Sequence, residues 1–221
     1  MKCKLDVSSI IAQELEVYHI DCSAEVLEAC NQFAAELVKW NQKINLTALT
    51  SAQDIAVKHF VDSFHLAHRL PTEGRLLDIG SGGGFPAIPI KFIRPELEVV
   101  SIDAVGKKIQ FQRHAARLLC LERFEALHIR AEELAGLRPK YFDIVVSRAF
   151  TNIEAFAAVA LPLLSERGKI IAMAGPVSEP AVAGMSSTLA ALGCRYDKAE
   201  SYRLPFGMGS RSLVSINRIT F

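Results

Sequence analysis

Along the first 70 residues, apolar positions fall at three- and four-residue steps. From Ser23 to Trp40 they are Val26, Leu27, Cys30, Phe33, Ala34, Leu37 and Val38, one face of an amphipathic helix with Ser23 placed to cap it. Residues 5–18 carry a weaker version. A third stretch, about 51–70, opens on Ser51 with Asp54 three residues later, the spacing of a capping box. At Pro71 the rhythm changes. Beyond the turn Thr72-Glu73-Gly74, short apolar runs at 75–79, 98–103, 125–129, 142–147 and 168–173 predict buried strands, and 85–93, 106–119, 151–164 and 178–192 predict helices between them. Such alternation predicts a parallel sheet with helices on both faces, joined by right-handed crossovers. After Gly193 two further strands, 195–203 and 212–219, joined through Pro205 to Ser210, predict an antiparallel hairpin closing the sheet. The chain thus divides into a helical extension, 1–70, and an α/β body of Rossmann-like type, 71–221.

Composition narrows the class of protein. Half of the 221 residues are apolar, and 25 basic against 24 acidic side chains leave a net charge of +1, the balance of a soluble globular chain long enough to bury a core. The charge is uneven. Residues 1–40 hold three bases against seven acids, leaving 22 bases against 17 acids in the remainder, so the body can attract a polyanion locally, although surface scatter explains the same balance. Five scattered cysteines, Cys3, Cys22, Cys30, Cys120 and Cys194, form neither a disulfide framework nor a metal-ligand spacing, which points to a reducing cytoplasm and to no metal. The N-terminus lacks an unbroken apolar leader, and the longest apolar stretch, 156–164, is too short to span a membrane.

The candidate chemistry begins at Asp78-Ile79-Gly80-Ser81-Gly82-Gly83-Gly84-Phe85-Pro86, between the first predicted strand and the next helix. Open α/β sheets bind ligands at the carboxyl ends of such strands. Four glycines in five residues exceed the needs of a tight turn and let backbone approach a bulky nucleoside closely. Phe85 stands where a dinucleotide fingerprint needs glycine, and no Gly-Lys-Ser/Thr follows, so neither an NAD or FAD site nor a P-loop fits. Asp103, at the end of the second strand, can accept hydrogen bonds from both hydroxyls of a ribose or serve the start of the helix near Gly106. Together the loop and Asp103 resemble the S-adenosylmethionine site of class I methyltransferases.

Further segments sharpen the resemblance: Trp40-Asn41-Gln42-Lys43-Ile44-Asn45-Leu46-Thr47, Lys58-His59-Phe60-Val61-Asp62-Ser63, Phe85-Pro86-Ala87-Ile88-Pro89-Ile90, Gly106-Lys107-Lys108, Arg130-Ala131-Glu132-Glu133 and Ser147-Arg148-Ala149-Phe150. In this order, from about residue 37 to 175 with a weaker echo at 211–216, the chain resembles the bacterial GidB family, also called RsmG. That resemblance implies a monomeric enzyme that methylates guanine N7 in small-subunit (16S) ribosomal RNA, free or in the small ribosomal subunit. It implies a cofactor site on Gly80, Phe85, Ala131, Glu132 and Arg148, with Asp78, Gly82, Gly84 and Asp103 matching the wider methyltransferase pattern. Arg148 would reach the methionine carboxylate or the RNA. Three positions depart from the family: Ala87 replaces a usual glycine, Lys58 a more common arginine, and Ala174 a frequent lysine.

Guanine N7 has a free lone pair and loses no proton before attack, so transfer needs proximity and charge matching rather than a base. No catalytic residue is therefore assigned, and His59, His65, His68 and His114 are read as surface or buried hydrogen-bonded histidines. Ser147-Arg148-Ala149-Phe150 lacks the Asn/Asp-Pro-Pro-aromatic motif that amine methylation commonly uses, and neither Cys120 nor Cys194 is placed for attack on cytosine. Phe150 and Arg148 could stack on a splayed base, or be a core ring and a salt-bridged arginine. Lys107, Lys108, Arg113, Arg117 and Arg123 could meet RNA phosphates, or be a solvated helix face. Trp40, Asn41 and Asn45 are read as capping and packing residues. Two alternatives stay open: methyl transfer to another acceptor, or a nucleotide- or RNA-binding module on this fold without turnover.

Overall fold

The computed structural model describes residues 6–20, 22–150 and 152–219. Seven strands, β1 (Arg75–Ile79), β2 (Glu98–Asp103), β3 (Phe124–His128), β4 (Phe142–Ser147), β5 (Leu164–Ala174), β6 (Cys194–Arg203) and β7 (Ser210–Arg218), form one sheet in the order β3-β2-β1-β4-β5-β7-β6. The first five run parallel. β7 is antiparallel to both β5 and β6, which is the expected closing hairpin. The chain order reverses direction across the sheet between β1 and β4, where the carboxyl ends of neighbouring strands splay open into a ligand crevice.

Period-two alternation sorts the strand side chains between two cores. Leu77, Ile79, Val145, Ile170 and Ala172 face one side, with residues of α7 (Ala131–Leu137), α8 (Ile153–Ala160) and α9 (Glu179–Ala191). Leu76, Val99, Ile144, Val146, Ile171 and Met173 face the other, covered by α4 (Asp62–Ala67) and α5 (Ala87–Ile93). Burial on both faces is why these strands read as nearly continuous apolar runs.

The extension is α1 (Ser8–Val17), α2 (Ala24–Asn41), α3 (Ala52–Ile55), a π-helical segment (Ala56–Val61) and α4. Ser23 Oγ caps α2 by accepting the Val26 N–H, and Ser51 Oγ accepts the Asp54 N–H at 3.0 Å, as the capping spacing predicts. Phe33 of α2 is fully buried, with ring centroids of Phe85, Phe111 and Phe60 at 5.0, 5.9 and 6.0 Å. Extension and body therefore share one core. Trp40 adds a ring contact to Phe111 and one to His114, both on α6 (Gly106–Leu118). The side chain of Asn41 folds the following loop, accepting the Leu46 and Thr47 N–H groups and donating to the Thr47 carbonyl.

Four differences from the sequence reading have physical causes. Helix α7 was not expected, because a seven-residue helix with two buried side chains, Ala131 and Leu134, leaves almost no periodic signal. Expected helix 151–164 lies partly outside the described residues at its start and ends at Ala160 as α8, since the chain then turns through Pro162 into a β5 that begins at Leu164 rather than 168. Arg218 fixes that turn by donating to the carbonyls of Leu161 and Leu164. The helix expected over 51–70 contains the wider π turn.

Candidate functional site

The glycine loop is held by neighbours on β2 and α6. Gly80 and Ser81 N–H groups both donate to the Ile102 carbonyl, and Gly82 N–H donates to Asp103 Oδ2 at 2.9 Å. Gln112, fully buried on α6, donates to Ser81 Oγ and the Gly82 carbonyl while accepting from Ser101 Oγ. Two glycines are sterically required. Gly80 (φ +74°) would place a Cβ 2.8 Å from that of Ala149, and Gly84 (φ +87°) would place one 2.6 Å from Ile88 Cδ1.

Beside the loop lies a cavity of about 360 Å³. Ile79, Ile102 and Ile129 give it apolar walls; Gly80, Asp103, Ala131 and Glu132 surround it, with Ala149 and Phe150. Asp103 Oδ1 accepts the Val105 N–H at 2.8 Å, so the carboxylate supports the start of α6 as well as the loop. Each oxygen keeps a second lone pair, enough to take two hydroxyls. Glu132 sits in the first turn of α7, where carboxylates suit the helix dipole. On β1, just before the loop, Asp78 is wholly buried. Its Oδ2 accepts the Ala87 N–H, its Oδ1 has no hydrogen-bond partner, and burial pushes its carboxyl well above the ordinary range. A buried acceptor left unsatisfied marks a place where a donor from outside the chain belongs.

A second cavity, about 330 Å³, lies across the end of β4. Lys58, Arg148 and Arg211 supply three cations around it, with His59, Asp62 and the Ala174-Gly175 turn. Arg148 lines this cavity, while Ala149 and Phe150 from the same turn line the first. The Phe150 ring also stacks on Phe156 of α8, centroids 5.2 Å apart. Phe85 is buried among the extension's rings, with the Arg148 guanidinium 5.7 Å from its centroid. Asp62, almost fully buried, accepts the Tyr202 hydroxyl at 2.7 Å and lies 3.6 Å from Arg148. Burial pushes the Asp62 carboxyl up, against the opposing pull of Arg148.

The basic positions lie apart from both cavities. Lys107 and Arg117 are exposed on α6, with Lys108 half-buried. Arg113 donates through Nε to the Ala126 carbonyl and lines a shallow hollow with Arg117. Arg123 faces Glu96 at 3.4 Å. No group of three or more His, Cys, Asp or Glu that could hold a metal occurs among the described residues, and none of their helices is long and apolar enough to cross a membrane.

Sequence reasoning did not single out Gln112, Ser101, Thr47, Asp62 or Arg211 for the site. Each acts through a tertiary contact that leaves no local pattern, although Thr47 and Asp62 lie inside the quoted Trp40–Thr47 and Lys58–Ser63 motifs and Arg211 opens the echo at 211–216. Of the four histidines read from the sequence, His59 is buried and hydrogen-bonded, His114 meets Glu36 at 2.9 Å and His68 is exposed, whereas His65 is buried with its Nε2 unpartnered, between rings rather than hydrogen-bonded.

Comparison with known proteins agrees with this geometry. A profile of the GidB family, described as rRNA small subunit methyltransferase G, matches residues 26–204. Proteins called ribosomal RNA small subunit methyltransferase G are 52% identical in Geobacter sp. (strain M21), over 90% of this chain and 92% of the relative, and 32% identical in Staphylococcus epidermidis, over 94% and 88%. Among solved structures, Pyrococcus horikoshii TYW2 in complex with MeSAdo superposes with TM-score 0.59 at 13% identity, covering 72% of this chain and 62% of that one. The ribosomal protein L11 methylase of Lactobacillus delbrueckii subsp. bulgaricus gives 0.55 at 18%, covering 72% and 77%. At such identities these structures speak to the fold alone.

Proposed function

We propose, from the premise that this chain belongs to the GidB family of small-subunit rRNA methyltransferases, that it transfers a methyl group from S-adenosylmethionine to N7 of a guanine in small-subunit (16S) ribosomal RNA. The observation that carries this reading is the pairing of two cavities across the end of β4, one nucleoside-sized and acid-rimmed, the other cationic. The first suits S-adenosylmethionine. The orphaned Asp78 Oδ1 calls for a cationic or N–H donor such as the ligand's ammonium, and the spare lone pairs of Asp103 suit its ribose. Ile129 and Ala131 offer apolar contact to the adenine, and Glu132 stands at the rim. Bound there, S-adenosylmethionine supplies an electrophilic methyl on a sulfonium centre.

The chain's own contribution is placement. Gly80 and Ala149 approach each other so closely that only a narrow wall separates the loop from the end of β4. A base entering the second cavity would lie against that wall, with Lys58, Arg148 and Arg211 for its phosphates and Phe150 on the cofactor side. Among the described residues lining the second cavity, neither Asp62 nor His59 is free to take a proton: Asp62 is almost fully buried, accepts the Tyr202 hydroxyl and faces Arg148. Both nitrogens of His59, the histidine lining the second cavity, are engaged, Nδ1 by Arg148 and Nε2 by Thr47, and burial pushes its pKa well down. A nucleophile that loses no proton before attack suits such a site, and guanine N7 is one. The exposed cations Lys107 and Arg117, with half-buried Lys108, are assigned to RNA phosphates on this reading, with Arg113 and Arg123 at its margin. The protein then works in the cytoplasm, as a monomer, on RNA or the small subunit.

Transfer of labelled methyl from S-adenosylmethionine, offered separately to small subunits, to naked 16S RNA and to ribosomal protein, tests the acceptor class. Label in the RNA is expected. Label confined to protein, or none despite measurable cofactor binding, would replace this reading with another acceptor or a module without turnover.

A further inference from the structure

Arg148 stands between the two cavities, and its orientation is set by the extension rather than by its own strand. Nη1 donates to the Lys58 carbonyl at 2.9 Å, and Nη2 meets His59 Nδ1 at 3.0 Å. A guanidinium only donates. His59 Nδ1 must therefore be the acceptor, which puts the imidazole proton on Nε2, and Nε2 meets Thr47 Oγ1 at 3.0 Å. Thr47 is itself fixed, its N–H and carbonyl both bound by the Asn41 side chain. The His59 ring lies flat on Phe85, centroids 4.2 Å apart and planes 11° apart, and is 7% exposed. It lines the second cavity but exposes little surface there.

We propose that His59 is a positioning residue for Arg148. Arg148, which can only donate, keeps His59 in the Nε2–H tautomer with Thr47 Oγ1 as the partner of that proton, the Nδ1 acceptor in turn holds the guanidinium towards the second cavity, and the loop after α2 thereby buttresses the acceptor site. A competing partner stands nearby: Asp62 Oδ2 lies 3.6 Å from Arg148 Nη1. Without the His59 acceptor, the guanidinium closes on this buried carboxylate and withdraws from the cavity. The other charged groups nearby do not hold His59: Lys58 Nζ pairs with Asp54, and Arg211 lines the far side of the cavity. This role rests on the second cavity being the RNA acceptor site.

Two substitutions separate positioning from packing. His59→Phe keeps the ring stack on Phe85 and removes both hydrogen bonds; His59→Asn restores an acceptor near the place of Nδ1. Expected for His59→Phe is a 10- to 100-fold lower kcat/KM on small-subunit RNA, the range for one misplaced charged donor, with calorimetric affinity for S-adenosylmethionine within about twofold of wild type. His59→Asn should recover most of that loss at an equal melting temperature. Full activity in His59→Phe, or no recovery in a folded His59→Asn, overturns the proposal. Nitrogen-15 NMR of the wild-type imidazole tests the relay without RNA: a single Nε2–H tautomer is expected, and an Nδ1–H form overturns it. If wild type fails to methylate RNA while showing the expected tautomer, the acceptor reading falls and the relay stands.

Discussion

Asp103 joins local folding to ligand chemistry through one carboxylate, since each oxygen already accepts a backbone N–H, from Gly82 and Val105. Asp103→Ala removes both anchors and the acceptors left for a ribose. Charge-assisted hydrogen bonds contribute about 1.5–3 kcal/mol each, so cofactor affinity measured by calorimetry should fall at least 10-fold. Gly84→Ala tests the loop from the steric side. Its positive φ and a Cβ 2.6 Å from Ile88 Cδ1 should cost about 1–3 kcal/mol in urea unfolding, whatever ligand binds. His65 brings a pH dependence. It is buried between the rings of Tyr18 and Tyr202, at 4.1 and 4.3 Å, with Nε2 unpartnered, and burial pushes its pKa down to about 4. The unfolded chain binds that proton near pH 6.5, so its share of stability is complete above about 6.5 and is lost as pH falls from there to about 4. The loss is on the order of 3 kcal/mol. His65→Phe should flatten the stability profile over that window in denaturant titrations.

The helices of the extension matter because they supply groups the sheet cannot. The π-helical turn Ala56–Val61 leaves the Lys58 carbonyl for Arg148 and the His59 carbonyl for the Ser63 hydroxyl. Such turns concentrate at functional sites. Phe33 ties α2 to the glycine loop through Phe85, so Phe33→Ala should cost about 3–5 kcal/mol of stability, read by denaturant unfolding, and loosen the loop it packs on. Every strand of the body was legible to within a few residues, because buried parallel strands leave dense apolar runs and glycine-rich breaks. The glycine loop and Asp103 were legible for a related reason: backbone conformation and charge at a strand end show in local sequence. Helix α7 and the π turn were not, one being too short for a periodic signal and the other keeping helical spacing. Nor was the Thr47–His59–Arg148 chain, whose members are 12 and 89 positions apart and meet only through folding.

At the scale of the whole molecule, an acidic extension rests on a more basic body, and the exposed cations of α6 lie beside the cleft rather than in it. Arg113 keeps its charge but is held to the Ala126 carbonyl, so Lys107 and Arg117 are the exposed cations of this helix freest to meet a phosphate. The double change Lys107→Glu with Arg117→Glu should weaken RNA binding, lower the steepness of its salt dependence by about 2 in log–log slope, and leave cofactor affinity unchanged. An unchanged salt slope would move the docking face elsewhere. The most direct test of the central claim is nucleoside analysis by mass spectrometry of 16S RNA from small subunits lacking the modification, after incubation with this protein and methyl-labelled S-adenosylmethionine. The account predicts label in 7-methylguanosine and in no other nucleoside; label in a different methylated nucleoside would contradict it.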